Sequence, residues 1–388
     1  MGRFRRKKIK IFVDAEVITL DHFSGIGHYT ASLLKALDGL LNKEEYSHIK
    51  VTLGVPLRKS HKLGRYEFQN FGVRRIPLPA RYIFGLKVRG LLPPIDLMFG
   101  KQIYLFPNYS SWPTLFSKSV PIIYDLSFIK FPQFGDTRNM EFLVDQVAKS
   151  AKYADQIITI STNSRDEICE EYKVEKSSVS IVYPIIENRS FYRRSIAEIK
   201  EVKAKYGVFD SYILYVGNLE PRKNLVTLLA AYEKLPKEIQ NKYSLLLVGA
   251  KGWKDDEIYK KIQQMRINGL RIVQPVSYVI DEDVPALISG ASLFVYVSVY
   301  EGFGIPPVEA LSCGTPVVSS NNSSLPEACG EVVRYVEAMD ADDISKALEE
   351  ALLKGDKYDP IPGYKQAAKF DAASAAKKFV EVIENLKK

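Results

Sequence analysis

Glu301 and Glu309 bracket the stretch Gly302-Phe-Gly-Ile-Pro-Pro-Val308, and that pairing is the strongest chemical signal in the chain. Gly302 and Gly304 allow a sharp bend and a close approach of backbone to a ligand. Pro306 and Pro307 suit a first helical turn, where a missing N–H costs little. Gly314 and Pro316 then stop the helix. A helix start presents free N–H groups and a positive dipole end, which suits a phosphate. Glu309, in the first turn, can accept two hydroxyl hydrogen bonds, as from a ribose. Glu301, before the bend, can point at another polyol. A carboxylate, a phosphate cradle through Gly302, Phe303, Gly304 and Ile305, and a second carboxylate describe a sugar-nucleotide site. The plainer alternative is a strand–loop–helix connection with solvated acids.

Gly217-Asn-Leu-Glu-Pro-Arg-Lys-Asn224 follows an apolar run and precedes a helical one, so Arg222 and Lys223 stand at a strand end. Two cations there can neutralise a diphosphate through charge-assisted bonds worth about 1.5–3 kcal/mol each. The alternative is a solvated turn. Ser24-Gly-Ile-Gly-His28 opens the first helix, and Gly25 and Gly27 let a phosphate or sugar come close. With Thr30 in the last place it nearly matches G-x-G-x-x-G. A dinucleotide-binding turn follows its strand directly, however, whereas here about ten residues intervene. A purely structural glycine turn is the other reading. Tyr124 and Asp125 end an apolar run, so both are expected to reach a ligand; Asp125 either orients a sugar hydroxyl or caps the next element. Val248-Gly-Ala-Lys-Gly-Trp253 ends another run, and its glycines read mainly as turn-forming.

These groups need strands and helices to position them. In the first half, Ile9–Val13, Val51–Val55, Ile103–Phe106, Val120–Tyr124, Ile157–Ile160 and Val179–Tyr183 read as strands. Ile26, Tyr29, Leu33, Leu34 and Leu37 have helical spacing, and Asp166–Tyr172 reads as a helix. The second half offers strands at Tyr212–Gly217, Ser244–Gly249, Arg271–Gln274, Leu293–Val297 and Thr315–Ser319, with helices at Asn224–Lys234 and Glu282–Ser289. Such alternation implies parallel sheets with helices on both faces. The expected class is α/β, with two doubly wound Rossmann-like domains, 1–190 and 191–366, facing across a cleft. Ligands of such sheets bind beyond the carboxyl ends of the strands. A final segment, 367–388, has helical spacing at Ala372, Ala376, Phe379, Val380, Ile383 and Leu386.

Bulk composition narrows the classes. The chain has 388 residues, 46% of them hydrophobic and 26% charged, an ordinary globular balance favouring two domains. Three cysteines, Cys169, Cys313 and Cys329, without a C-x-x-C pair argue for a reducing compartment and against a disulfide framework or zinc site. His22, His28, His48 and His61 never pair at helical spacing, so no histidine metal site is expected. The basic start Arg3–Lys8 leads into an apolar run too short for a signal peptide. Residues 1–190 hold 28 Lys+Arg against 19 Asp+Glu, so the net charge of +8 belongs to the first half. From Arg58 to Arg89 nine basic residues meet one acid, Glu67, interleaved with Tyr66, Phe68, Phe71, Tyr82 and Phe84. That mixture suits a phosphate-bearing partner or an anionic membrane surface; a solvated variable surface is the alternative.

YVGNLEPRKN (215–224), LVGAKGW (247–253), YEGFGIPPVEALSCGTPVVSS (300–320) and SLPEACG (324–330) together resemble the GT-B-fold, retaining glycosyltransferases of family 4, the glycosyl transferases group 1. IFVDAEVI (11–18), SGIGHYT (24–30) and IIYDLSF (122–128) carry the resemblance more loosely through the first half. The EPRKN form with GAKGW behind it looks most like the branch rich in bacterial mannosyltransferases. By motif position, the resemblance implies that Lys223, helped by Arg222, Gly217 and Asn218, holds the donor diphosphate. It implies that Glu309 holds the ribose and that Glu301 sits near the transferred sugar. The amides of Gly302, Phe303, Gly304 and Ile305 would bind sugar hydroxyls and phosphate, and Gly25 and Gly27 would close the phosphate side. The last helix would cross back to the first domain.

Two positions depart from the family pattern. Asn218 stands where many members have Arg, and Tyr124 stands where many have His before Asp125. Tyrosine, with a pKa near 10, donates a hydrogen bond but is no cation at neutral pH. The resulting expectation is a cytoplasmic enzyme, peripheral on the inner face of a membrane, that needs no metal. It moves a hexose from GDP-mannose or a UDP-hexose to a glycan or lipid-linked acceptor, and binds no nucleic acid. A sugar-nucleotide epimerase of similar fold and a non-catalytic polyanion-binding protein are the alternatives.

Overall fold

In the computed structural model the apolar runs of the first half form one parallel sheet. It consists of β1 (Ile9–Asp14), β2 (Ile49–Pro56), β3 (Phe71–Ile76), β4 (Ile103–Phe106) and β5 (Lys118–Pro121), in the order β3-β2-β1-β4-β5. Ile11, Val13, Leu53 and Leu105 are buried, as parallel strands covered on both faces must be. The structure describes residues 8–20, 25–135, 137–187, 190–252 and 255–387. Arg3–Lys7, His22, Ser24 and Trp253, which carry parts of the readings above, lie outside the described residues.

The expected strand Val120–Tyr124 is shorter than its apolar run. The register with β4 ends at Pro121, with a last bond from the Ile122 N–H to the Phe106 carbonyl at 2.9 Å. Ile122 then bridges to Ile158 in a separate parallel pair, β6 (Ile157–Thr159) with β7 (Val179–Ile181).

The second half forms a six-stranded parallel sheet. Its strands are β8 (Ser211–Val216), β9 (Tyr243–Val248), β10 (Ile272–Val273), β11 (Leu293–Tyr296), β12 (Val317–Ser320) and β13 (Arg334–Val336), in the order β10-β9-β8-β11-β12-β13. The chain divides into two compact units. Met1–Pro132, Thr137–Ile185 and Ala372–Lys388 make one; Gln133–Asp136 and Ile186–Asp371 make the other. The helix Ala372–Asn385 thus belongs with the first unit, where it buries Ala376, Phe379, Val380 and Ile383 and packs on the helix Gly25–Leu41.

Each sheet has one place where strand order reverses: between β1 and β4 in the first, between β8 and β11 in the second. Ligands of doubly wound sheets bind beyond the strand ends at such a switch. In the second unit that region is built by two loops lying backbone to backbone. The Gly217 N–H donates to the Val248 carbonyl at 2.9 Å, and the Leu219 N–H to the Ala250 carbonyl at 3.0 Å. A Cβ on Gly249 would stand 1.9 Å from the Gly217 oxygen, and one on Gly252 would stand 2.4 Å from the Leu219 oxygen. Gly249 and Gly252 therefore let the loop after β9 support the loop that carries Arg222 and Lys223.

Gly249→Ala is expected to lower the unfolding free energy of the second unit by about 1–3 kcal/mol, the usual cost of overpacking. Urea unfolding followed by circular dichroism checks this, and an unchanged midpoint would contradict it.

Candidate functional site

The chain leaves β8, passes Gly217–Glu220, makes a tight turn at Pro221–Lys223 and enters the helix Leu225–Glu233. Asn224 joins turn to helix with φ at +60°, a left-handed conformation that asparagine tolerates better than most residues. Its amide pins it there by donating to the carbonyls of Val297, at 3.0 Å, and Ala338. The turn directs Lys223 inward, below the end of β11.

There the charges meet. The Lys223 ammonium donates to Glu301 Oε1 at 2.6 Å and to the Tyr296 hydroxyl at 2.8 Å. Tyr296 in turn donates to the same Glu301 oxygen at 3.0 Å. Arg222 donates to Glu301 Oε2 at 3.0 Å, to the Tyr300 carbonyl at 2.6 Å and to Glu220 Oε1 at 2.8 Å. Glu220 is 2% exposed, Glu301 7% and Lys223 9%, so three of the four charges are buried, while Arg222 is half-buried. Burial alone would raise the Glu301 pKa, but Arg222 and Lys223 outweigh it and hold the carboxyl at about 2. Burial pulls Lys223 below the usual lysine range, against the opposing pull of Glu301.

This differs from the expected division of labour. Glu301 does not point out toward a sugar; both its oxygens are engaged by the two cations expected to hold a diphosphate. Lys223 is buried and Arg222 half-buried, and the Glu301 and Glu220 carboxylates supply the negative charge that such cations require.

The neighbouring helix also starts differently. Its range is Ile305–Ser312, capped by Gly304 at φ +103°, so Pro306 and Pro307 occupy its second and third positions. Among its first four residues only Ile305 and Val308 carry an N–H, and the start offers fewer donors than expected. A Cβ on Gly304 would stand 2.5 Å from Leu325. The Phe303 ring is buried edge-on against Phe370 at 4.9 Å, leaving only its backbone for a ligand.

Glu309 lies in the second turn rather than the first. It is half-buried, and none of the hydrogen bonds among the described residues engages its carboxylate. Burial, with Asp281 and Glu187 adding negative charge, pushes its carboxyl up to about 8. Asn218 is exposed at the head of the cation loop.

The first-unit candidates fare unequally. Tyr124 is 4% exposed, and its hydroxyl donates to the Pro107 carbonyl at 2.8 Å and meets Thr30 Oγ1 at 3.3 Å. It is a core residue flanked by the rings of Tyr29 and Tyr109, because the chain has already left the sheet at Pro121. Asp125 accepts the Ser127 N–H at 2.9 Å, just before the short helix Ser127–Lys130, whose N-cap position is Leu126. Gly25 begins the helix Gly25–Leu41, with open space where a Cβ would go, and Gly27 is buried within the first turn. Glu220, Tyr296 and Asn224 also build the cation cluster, beyond the residues the sequence motifs single out. Glu220 and Asn224 lie inside the motif that contains Arg222 and Lys223, and that proximity is the signal the sequence offers for them.

Among the described residues, no group of three or more His, Cys, Asp or Glu could hold a metal ion, and no helix is long and apolar enough to cross a membrane.

Residues 198–367 match the model of the glycosyl transferases group 1. O-antigen chain mannosyltransferase B of Escherichia coli is 35% identical over 251 residues, which cover 64% of this chain and 65% of that protein. The match therefore spans just under two thirds of that relative's length. A glycosyltransferase from Rickettsia africae superposes with a TM-score of 0.70 at 12% identity, covering 99% of both chains. Sucrose-phosphate synthase from Thermosynechococcus elongatus gives 0.70 at 18% identity, covering 98% of this chain and 99% of that one. These likenesses establish the GT-B fold.

Glu301 ties the cluster to pH. Its carboxyl is held at about 2, below the ordinary 4.5, so it contributes stability that is present above 4.5 and lost as pH falls toward 2. Glu301→Gln is expected to destabilise the second unit by about 3 kcal/mol at pH 7. The gap to the unsubstituted protein should close between pH 4.5 and 2. Urea titrations at a series of pH values check this, and a gap that does not narrow would contradict it.

Proposed function

We propose that this chain, which carries a glycosyl transferases group 1 domain over residues 198–367, transfers a hexose from a nucleotide diphosphate sugar to an acceptor hydroxyl with retained configuration. The observation that carries this is the Lys223–Arg222 pair at the switch point of the second sheet, held together by Glu301. A diphosphate entering beyond β8 and β11 competes with Glu301 for those two cations. As the bond to the sugar breaks, negative charge grows on the departing diphosphate, and preorganised cations stabilise it there. Glu301, released from them, faces the hydroxyls of the transferred sugar. Holding donor and acceptor together supplies much of the remaining rate.

Two cations doing this work make a divalent metal unnecessary. The sequence offers no evident protein nucleophile, so the acceptor attacks on the side of the leaving group. GDP-mannose is the first donor, in keeping with the mannosyltransferase relative, and a UDP-hexose the second. The acceptor is a glycan or lipid-linked glycan. A thermal-shift screen of GDP, UDP and ADP in EDTA tests the reading: the right nucleotide at 100-fold excess over Kd should stabilise by about 2.7 kcal/mol. No shift with any of them contradicts it.

Glu309 gives the reading a double signature. As the binder of the ribose hydroxyls, it should weaken nucleoside diphosphate binding about tenfold when changed to Gln. Its carboxyl is raised to about 8, so stability is full below 4.5 and is lost as pH rises through 8. Glu309→Gln should therefore stabilise the unit at pH 9, by on the order of 1 kcal/mol after allowing for its partial exposure, and change little at pH 4.5. Calorimetry and urea unfolding read the two effects; lost stability at pH 9 or unchanged affinity contradicts the assignment.

The first unit supports a lipid-linked acceptor. Arg74 and Arg75 are exposed on the edge strand β3, and the helix Ala80–Val88 exposes Arg81, Tyr82, Phe84 and Val88. Basic and aromatic side chains together suit an anionic membrane face, at about 1 kcal/mol per cation near the surface. Binding to vesicles containing anionic lipid should fade as salt rises and weaken in the Arg74→Gln/Arg75→Gln variant, with nucleotide affinity unchanged. Sedimentation at low salt without protein in the pellet contradicts the membrane role.

A further inference from the structure

We propose that the second unit carries a further small-molecule site, for a phosphorylated hexose, in an open cavity lined by Phe191, Tyr192, Arg193, Ser312 and Tyr364. The proposal does not rest on the transferase reading.

The cavity has a volume of about 440 Å³, within the range of roughly 300–1,000 Å³ usual for small-molecule sites. It lies away from the cation cluster. Ser312 is the last residue of the helix Ile305–Ser312, whose start follows the Glu301 loop, and about 10 Å of helix separates the two ends. Ser312 leads toward the beginning of β12, and Ser289, which holds the lining segment, ends the helix that leads toward the beginning of β11. The walls are fixed before any ligand arrives. The Ser312 hydroxyl donates to the Phe191 carbonyl at 2.7 Å. The Arg194 N–H donates to the Ser289 hydroxyl at 3.1 Å, which donates to the Tyr192 carbonyl at 3.4 Å. The Arg194 guanidinium lies 4.1 Å from the centre of the Tyr192 ring and donates to its hydroxyl at 2.6 Å. On the other wall, Tyr364 comes from the helix Ile361–Ala367 and reaches over Gly314, at φ +73°. A Cβ on Gly314 would stand 2.3 Å from the Tyr364 hydroxyl oxygen, so only glycine leaves room for that ring.

The lining selects the ligand class. Arg194 is already paired with Glu198 at 3.4 Å. Arg193 is exposed, and among the described residues no hydrogen bond or ion pair engages its guanidinium. No carboxylate lines the cavity, so an oxyanion meets that cation without competition. A guanidinium donates to two phosphate oxygens side by side, which a single ammonium does not match. Tyr192 is 43% exposed and Tyr364 36%, so both present ring surface to the cavity. The C–H groups of a pyranose carry a slight positive charge and pack on the negative face of such a ring. Inorganic phosphate would use Arg193 alone and a neutral hexose the rings alone. A hexose phosphate uses both.

Saturation-transfer NMR on the full chain tests the site with mannose 6-phosphate, glucose 6-phosphate and galactose 6-phosphate, each at about 10 mM to exceed a millimolar Kd. At least one should be saturated, and should bind about tenfold more tightly than its unphosphorylated hexose. Equimolar inorganic phosphate should not displace it, and neither should saturating GDP or UDP. Arg193→Gln should weaken the binding about tenfold, the loss of one charge-assisted contact, and Tyr364→Leu about fivefold, the loss of a ring face. Nucleoside diphosphate affinity by calorimetry should stay unchanged in both. Arg193 is exposed and holds no other group in place, so its variant decides alone if Tyr364→Leu fails to fold. No saturation by any of the three, displacement by inorganic phosphate or by a nucleoside diphosphate, or unweakened binding in a folded variant overturns the proposal. Hexose phosphate binding in a protein that binds no nucleoside diphosphate would instead overturn the transferase reading and leave this site standing.

Discussion

The carboxylate of Glu301, buried between Lys223 and Arg222, is the constraint on which the second unit's working end depends. The buried Lys223 and half-buried Arg222 need compensating charge, and Glu301 and Glu220 supply it. The pairing joins the loop after β8 to the loop after β11, across the point where strand order reverses. Other features serve that junction. Asn224 takes a left-handed turn so that Lys223 can face inward, and Gly249 and Gly252 let a supporting loop pack against the cation loop without side chains between. Removing one partner from such a cluster leaves an uncompensated charge, which costs far more than the pair adds.

Under the proposed function, the same cluster would let a stable protein keep cations ready for an anionic ligand. An exposed Lys and Arg would be solvated and would have to shed water on binding. Here carboxylates already replace that solvation, and under the proposed function a diphosphate would exchange one set of negative oxygens for another. Glu309 is the counterpart. Its carboxyl has burial and two acidic neighbours to contend with and, among the described residues, no cation to offset them, so it destabilises the fold at alkaline pH. One acid is held near 2 and the other near 8 within eight positions of sequence.

Much of this architecture is legible in the amino-acid sequence alone. Long apolar runs ending in glycine announce β8 and β9, and the glycine–proline loop announces the start of the helix Ile305–Ser312. The charge pairing is not legible. Lys223 and Glu301 are 78 positions apart, and only the parallel placement of β8 beside β11 brings them together. Motif reading therefore assigns each a ligand when their immediate partners are each other. Strand β3 escapes it because Phe71–Ile76 buries only Ile76 and shows no apolar alternation. Tyr124 is misdirected because a continuous apolar run hides the break at Pro121, after which the side chain turns inward to Pro107.

The exchange of Glu301 for a diphosphate is tested most directly by calorimetry of nucleoside diphosphate binding in EDTA, comparing the unsubstituted chain with Lys223→Met. That variant is destabilised by the lost cation, but Arg222 still pairs with Glu301, and the comparison is made at a temperature where circular dichroism shows the second unit folded. The account predicts tight binding without metal by the unsubstituted chain and an affinity roughly tenfold to a hundredfold lower in the variant, the worth of one charge-assisted contact. A folded Lys223→Met protein that binds the nucleotide as tightly as the original would contradict it.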